Sequence, residues 1–161
     1  MKILKSYKQL FEAKNVITEL NYSEQGLIEL PKLLDGLINL YCNHNILDKL
    51  PTLPSTLEYL ECSSNNLTKL PKLPNTLKHL ACNYNHLTEL PKIPEGLVYL
   101  SCIGNELTKL PRLPFALEEL NLSSDNIPYT SLFGYWKWCK DNDIEHYEDY
   151  LLYNNMEKFN I

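Results

Sequence analysis

Glycine is scarce in this chain, with only five glycines among 161 residues. None of them lies in a G-x-G-x-x-G, P-loop or G-x-S-x-G pattern, in which glycines let the backbone approach a phosphate or support a nucleophile. The four histidines show no spacing typical of a metal site or a catalytic triad. These absences argue against nucleotide-dependent and serine-hydrolase chemistry, and the sequence predicts no cofactor and no enzyme.

An excess of positive charge is also missing. The formal net charge is -5, from 15 basic and 20 acidic residues, which disfavours non-specific binding to nucleic acid or to anionic membranes. No segment approaches the roughly 18 consecutive apolar residues of a membrane span. Lysines interrupt the first fifteen residues before an apolar segment reaches signal-peptide length. We therefore expect a cytoplasmic protein that binds neither nucleic acid nor membrane.

The dominant feature of the sequence is a repeat. Leu-Pro recurs every twenty residues within the phrase L-P-x-L-P-x-x-L-x-x-L-x-C-x-x-N-x-L-T-x, and residues from about 10 to 29 form a degenerate earlier unit. The five Leu-Pro copies begin at Leu30, Leu50, Leu70, Leu90 and Leu110. A unit this short cannot bury its apolar side chains alone, so successive units must stack. We predict one domain over residues 1–161, with about six repeats in residues 15–128.

Each unit predicts one strand and one extended return segment. Apolar and polar residues alternate over 18–22, 38–42, 58–62, 78–82, 98–102 and 118–122, as in strands with one buried face. Proline lacks the backbone N–H and favours extended geometry before it, so "LPKLP" should form a polyproline-like segment. The predicted fold is an α/β repeat solenoid: a short arc with a parallel sheet on its concave face, a polyproline-like convex side and helical caps.

The motif L-x-x-L-x-C-x-x-N-x-L, as in "LKHLACNYNHL", resembles that of leucine-rich repeat proteins over about residues 10–128. The twenty-residue L-P-x-L-P unit is similar to the short repeats of YopM-like and IpaH-like secreted bacterial effectors. Cysteine-bearing versions also resemble repeat proteins of giant DNA viruses and some environmental bacteria. The resemblance implies a non-catalytic module for protein–protein interaction, from a virus or a bacterium, that works inside a host cell.

One cysteine recurs at the same strand position of four units: Cys42, Cys62, Cys82 and Cys102. Zinc needs four thiolates around one point, which a straight row of parallel side chains does not supply. Equivalent Cβ atoms on neighbouring strands lie about 4.8 Å apart, more than a disulfide requires, although local distortion could still bridge the first two or the last two. We interpret these cysteines as reduced structural residues in a narrow core, and predict no metal.

An asparagine recurs where the chain turns away from each strand, at Asn45, Asn65, Asn85 and Asn105. Its amide both accepts and donates hydrogen bonds, so a stack of such side chains can pair the backbone groups of successive turns. We predict a structural role for all four. Asp125 takes this place in the last copy, and because an ionised carboxylate cannot donate, the row should end there.

Residues outside the repeats predict two caps. Apolar residues at helical spacing between Ile3 and Phe11 predict a short N-terminal helix in residues 1–14. Residues 129–161 hold both tryptophans and predict a helical C-terminal cap, with one helix beginning after Thr130 or Ser131 and another after Asp143. These aromatic residues should cover the last repeat, although they could also bind a partner.

Function should lie on the concave face, which is the usual binding surface of a solenoid. Tyrosine is enriched at protein interfaces, although it also suits a strand. Several glutamates on this face would favour a basic partner surface. The predicted partner-binding residues are Tyr41, Glu58, Tyr59, Glu61, Lys78, His79, Tyr99, Ser101 and Glu119. The partner should be a protein, and the chain itself a monomer or a weak homodimer.

Two alternatives remain open. The segment "CKD" at Cys139 resembles the C-x-D motif of IpaH-like ubiquitin ligases, in which the thiolate accepts ubiquitin. However, the catalytic domain of that family is a large helical unit, and only about 33 residues follow the repeats here. The tyrosine-rich face could instead recognise a glycan, although it carries no tryptophan.

Overall fold

The computed structural model describes residues 17–123, 127–142 and 144. Six strands form one parallel sheet in chain order, and a helix follows them. The elements are β1 (Glu19–Asn21), β2 (Asn39–Tyr41), β3 (Tyr59–Glu61), β4 (His79–Ala81), β5 (Tyr99–Ser101), β6 (Glu119–Asn121) and α1 (Leu132–Asp141). The predicted solenoid fold is therefore confirmed. The predicted N-terminal helix, Asp125 and the helix after Asp143 lie outside the described residues.

Neighbouring strands pair in one constant register. Leu40 pairs with Leu60, Leu60 with Leu80 and Leu80 with Leu100, so each step along the sheet equals one twenty-residue repeat. Each strand has three residues, two fewer than predicted, although backbone bonding continues past its end: the Cys62 N–H donates to the Ala81 carbonyl at 2.8 Å. Equivalent side chains of successive turns are therefore direct neighbours.

Leucines fill the interior of every turn. In the third turn, Leu57, Leu60 and Leu67 have no exposed surface. Burying one leucine side chain contributes about 1.5–3 kcal/mol, so the stack of turns supplies most of the stability. On the return path Leu53 is also buried, and the Leu57 N–H donates to the Pro54 carbonyl at 3.2 Å to close a turn before the next strand.

The four strand-associated cysteines lie inside this core, each fully buried. None of them forms a disulfide, and neither does Cys139. Burial raises the pKa of Cys42 and Cys102 to about 12, and raises those of Cys62 and Cys82 well above the ordinary thiol value. Metal coordination and disulfide exchange both need the thiolate, which this environment disfavours.

The recurring asparagines connect successive turns, as Asn65 illustrates. Its Nδ2 donates to the carbonyls of Cys42 at 3.0 Å, Cys62 at 3.1 Å and Ser63 at 3.3 Å, and its Oδ1 accepts from the Leu47 N–H at 3.1 Å. The same pattern occurs at Asn45, Asn85 and Asn105. One side chain thus pairs backbone groups of two turns at a place where water is excluded.

Helix α1 covers the C-terminal end of the repeats. Ser131 is its N-cap, and the Ser131 Oγ accepts from the Gly134 N–H at 3.1 Å. The Tyr135 hydroxyl accepts from the Leu113 N–H at 3.3 Å, and the Trp136 ring lies 5.6 Å from that of Phe115. Within the described parts of the chain, no helix has the length and apolar character needed to cross a membrane.

Candidate binding face on the sheet

The concave face of the sheet presents the side chains on either side of the central leucine of each strand, which is buried in β2 to β6 and partly buried in β1. Since side chains alternate along a strand, one outward column runs through positions 19, 39, 59, 79, 99 and 119, and the next through 21, 41, 61, 81, 101 and 121. These columns hold most of the residues predicted to bind a partner. Unlike the interior columns, they change from turn to turn.

Four rings form a continuous stack on this face, which we name the aromatic ladder: Tyr41, Tyr59, His79 and Tyr99. The His79 ring lies 3.8 Å from that of Tyr59 and 4.2 Å from that of Tyr99, with interplanar angles of 10° and 1°. The Tyr41 ring tilts against Tyr59 at 5.3 Å. Strands about 4.8 Å apart bring equivalent rings close to stacking distance, so the sheet itself produces the ladder.

Glu61 is fixed beside the ladder by two donors. The Tyr59 hydroxyl donates to Oε1 at 2.7 Å, and Asn43 Nδ2 donates to Oε2 at 2.7 Å. Burial raises the pKa of Tyr59, and its hydrogen bond to Glu61 and the charge of Glu61 raise it further. Tyr59 therefore remains a protonated donor at neutral pH, and Glu61 has a defined position.

His79 occupies the centre of the ladder as a neutral ring. Its Nε2 is buried, has no hydrogen-bond partner within the described part of the chain, and lies 3.8 Å from Glu61 Oε1. Burial lowers the pKa of His79, while the charges of Glu61 and Glu119 oppose this effect. The ring is therefore uncharged at pH 7, which allows it to stack between two tyrosines.

The charge on this face is predominantly negative. Lys78 forms an ion pair with Glu58 at 2.8 Å and so neutralises one carboxylate. At the far end of the ladder, Asn121 Nδ2 donates to Glu119 Oε1 at 2.7 Å and lies 3.3 Å from the Tyr99 hydroxyl. Both ends of the ladder thus lie beside a glutamate that an asparagine holds in place.

Ser101 differs from the other residues predicted to bind a partner, because the structure buries it to 2% exposure. Its hydroxyl donates to Asn83 Oδ1 at 2.7 Å. The Tyr99 side chain extends toward Asn121, the register partner of Ser101, so the ladder covers this position. Ser101 therefore supports the face from beneath and does not form part of its surface.

The sequence interpretation gave no role to Asn43 or Asn121, although each orients a carboxylate on the face. Both are outward positions, and Asn121 lies two residues from the glutamate that it contacts. Register pairs Tyr41 with Glu61, and Asn43, two residues after Tyr41, reaches Glu61 diagonally with its side-chain amide.

Cys139, the candidate nucleophile, lies on the buried side of α1 and has no exposed surface. Burial raises the pKa of its thiol, and a hydrogen bond involving Tyr135 opposes the change. Asp141 pairs with Lys137 at 3.0 Å on the exposed side of the helix. A buried thiol with a raised pKa is a poor acceptor for ubiquitin.

Two of the solved structures similar to this chain come from bacterial effectors. The leucine-rich repeat domain of a Shigella effector is 34% identical with a TM-score of 0.63, and the match covers 76% of this chain and 54% of that one. YopM from Yersinia pestis, a leucine-rich effector protein, is 27% identical with a TM-score of 0.51, and the match covers 68% of this chain and 43% of YopM.

The chain spans about half the length of these structures. No protein-family model and no curated protein sequence matches it significantly. The twenty-residue turns, the parallel sheet and the structural likeness agree with one another. The chain is a leucine-rich repeat solenoid, similar to the repeat domains of the Shigella effector and of YopM.

Proposed function

We propose that the chain is a non-catalytic module that binds a partner protein through its concave face. The aromatic ladder is the observation that supports this proposal most strongly. Three rings stack in one outward column, and Tyr41 from the adjacent column tilts against them. The fold itself requires no aromatic residue there, since the positions on β1 and β6 equivalent to the three stacked rings are Glu19 and Glu119. Tyrosines in such a setting supply a large contact area at a low cost in conformational entropy.

The site of action is a further part of the proposal. The similar structures are repeat domains of effectors from Shigella and Yersinia. We propose that this chain is also an effector and that it acts in the cytoplasm of a host cell, on a host protein. A viral source remains a prediction from the cysteine-bearing repeat.

The test is affinity capture from a cytoplasmic lysate of cultured eukaryotic cells, comparing wild type with a Tyr59→Ala/Tyr99→Ala variant. Loss of these two rings should abolish recovery of specifically bound proteins. A Tyr84→Ala variant is the matched control, because Tyr84 is an exposed tyrosine outside the ladder. Equal recovery of every protein by all three forms, each verified as folded by circular dichroism, would contradict binding through this face.

A further inference from the structure

The two ends of the aromatic ladder have the same chemistry, a tyrosine ring next to a carboxylate. At one end, Tyr41 pairs in register with Glu61 on the next strand. Burial raises the pKa of Tyr41, and the charges of Glu19 and Glu61 raise it further, so both carboxylates act on this ring. At the other end, Tyr99 pairs in register with Glu119.

Neither Glu61 nor Glu119 has a lysine or arginine within ion-pair distance among the described residues. Each oxygen of Glu61 accepts one hydrogen bond, and a carboxylate offers about four acceptor sites. The closest ionisable nitrogen to Glu61, on the uncharged His79, lies 3.8 Å away. Both glutamates therefore remain able to accept bonds from a cation of a partner, and Glu61 is already oriented to do so.

The separation of the two glutamates limits the shape of that partner. Glu61 lies on β3 and Glu119 on β6, three strands apart. Glu119 belongs to the column through positions 59, 79 and 99, which lies two residues before the column of Glu61. Strand spacing gives about 14 Å across the sheet and about 7 Å along it, or about 16 Å between the two backbone positions. An extended chain places every second side chain on one side, at intervals of about 6.8 Å.

Two side chains four residues apart in an extended segment are therefore about 13.6 Å apart, the spacing nearest to 16 Å. A spacing of six residues, about 20 Å, fits less well. In a helix, residues four apart are separated by only about 6 Å along the axis, and two residues on one face reach about 16 Å only when they stand about eleven residues apart, so the four-residue spacing distinguishes an extended segment from a helix. The long stem of lysine or arginine can span the remaining difference, and an extended segment would lie across the edges of the ladder rings.

From this geometry we infer that the concave face binds an extended basic segment of its partner protein, with one cationic side chain on Glu61 and a second, four residues along, on Glu119. The inference rests on the proposed function, and adds the chemistry and conformation of the bound segment. Arginine is favoured over lysine, because its planar guanidinium forms two parallel bonds to a carboxylate and stacks on aromatic rings.

The test uses two synthetic nine-residue peptides of the same composition, labelled with a fluorophore and titrated against the protein. In one peptide two arginines stand four residues apart, and in the other they are adjacent, so that they point to opposite sides of an extended chain. The spaced peptide should bind about fivefold more tightly, because the adjacent pair reaches only one carboxylate at a time.

The protein variant for this test is Glu61→Gln/Glu119→Gln, which removes both charges and keeps the side-chain size. It should bind the spaced peptide at least about tenfold more weakly than wild type. A Glu29→Gln/Glu89→Gln variant is the matched control: it loses the same charge at exposed positions outside the concave columns, and should bind within about twofold of wild type.

Equal affinities for the two peptides would overturn the inferred spacing, and so would an absence of binding by both. If the two double-glutamine variants lost affinity for the spaced peptide equally, the peptide would be attracted by net charge alone. That result would overturn the assignment of Glu61 and Glu119 as the binding site. The proposed function is tested separately by the tyrosine variants. If those variants lose their captured proteins while the glutamine variants behave alike, the concave face still binds a partner but recognises a different segment.

Discussion

The two sides of each strand differ in how far they repeat. Toward the interior, leucine and cysteine recur in turn after turn, with asparagine at the turn that follows, and Leu40, Leu60, Leu80 and Leu100 are all fully buried. On the concave side, the column through β1 to β6 reads Glu19, Asn39, Tyr59, His79, Tyr99 and Glu119. Inside the solenoid, each turn must fill an equivalent space with apolar side chains, whereas no such packing constraint acts on the concave face.

This difference separates the residues that maintain the fold from those available for binding. An interior position contacts its equivalents in the turns before and after, so one altered residue disturbs two interfaces. A position on the concave face contacts solvent and its own neighbours, and can change at little cost in stability. The asparagine row is therefore a feature of the fold, whereas the aromatic ladder belongs to the binding face only under the function that we propose.

The largest effect that we expect is on stability, from Asn65→Ala. The substitution removes an amide that pairs carbonyls of two successive turns and the Leu47 N–H. The carbonyls of Cys42 and Cys62 keep hydrogen bonds from the neighbouring asparagines, but the Leu47 N–H loses its partner in a buried place. One buried N–H without a partner costs about 1–3 kcal/mol, and each lost hydrogen bond to a carbonyl adds about 0.5–1.5 kcal/mol, so we expect a loss of about 3 kcal/mol in the free energy of unfolding, measured by urea denaturation.

Asn66→Ala is the control for this experiment, because Asn66 is the next residue of the same turn and is exposed. It should change the free energy of unfolding by less than about 0.5 kcal/mol. If the two variants lost equal stability, the asparagine row would not be a structural feature, and the distinction between the two sides of the strands would lose its basis.

The sequence predicted the fold well because the period itself encodes it. Twenty residues with two prolines leave room for one strand and one extended return, and the constant position of Leu60 and its equivalents defines the register. The ring stack and the support of Glu61 by Asn43 were less accessible. They depend on rotamers chosen among neighbouring turns, and the burial of Ser101 follows from the direction in which the Tyr99 ring lies.

A smaller effect is expected at a position where the backbone repeats but the side chain does not. Glu24, His44, Ser64 and Tyr84 all have positive φ, and Gly104 takes the same place in the fifth turn. Ser64, with φ of 56°, incurs a left-handed penalty of about 1–2 kcal/mol. Glycine would remove this penalty, but its greater freedom in the unfolded chain cancels part of the gain. Ser64→Gly should therefore stabilise the protein by about 0.5 kcal/mol in thermal unfolding.

Ser55→Gly is the matched control, since Ser55 is exposed and is not among the residues with positive φ. At Ser55 glycine relieves no strain, so its greater freedom in the unfolded chain should lower the free energy of unfolding by about 0.5 kcal/mol. Destabilisation by both glycines would show that the left-handed turn imposes no strain on its serine. A gain in stability from Ser64→Gly together with a loss from Ser55→Gly would show that the fold sets the backbone conformation of this turn whatever side chain it carries.

The smallest effect concerns His79 and should emerge only in mild acid. Burial lowers the pKa of His79 in the folded protein, despite the opposing charges of Glu61 and Glu119. Below a pH of about 6.5 the unfolded chain then binds more protons than the folded one, so stability falls as the pH drops through this range toward the folded pKa. Above it, the ring is neutral in both states and contributes no pH dependence.

His79→Phe should keep a ring between Tyr59 and Tyr99 while removing the titration and the unpartnered nitrogen. In urea denaturation the variant should have a higher free energy of unfolding than wild type, and this difference should be larger at pH 5 than at pH 8. His44→Asn, at an exposed left-handed turn, is the control and should keep the wild-type change between the two pH values. If the free energy of unfolding of His79→Phe changed between pH 8 and pH 5 by the same amount as that of wild type, the folded protein would not resist protonation of His79. The histidine at the centre of the ladder would then be as well hydrated as one at the surface.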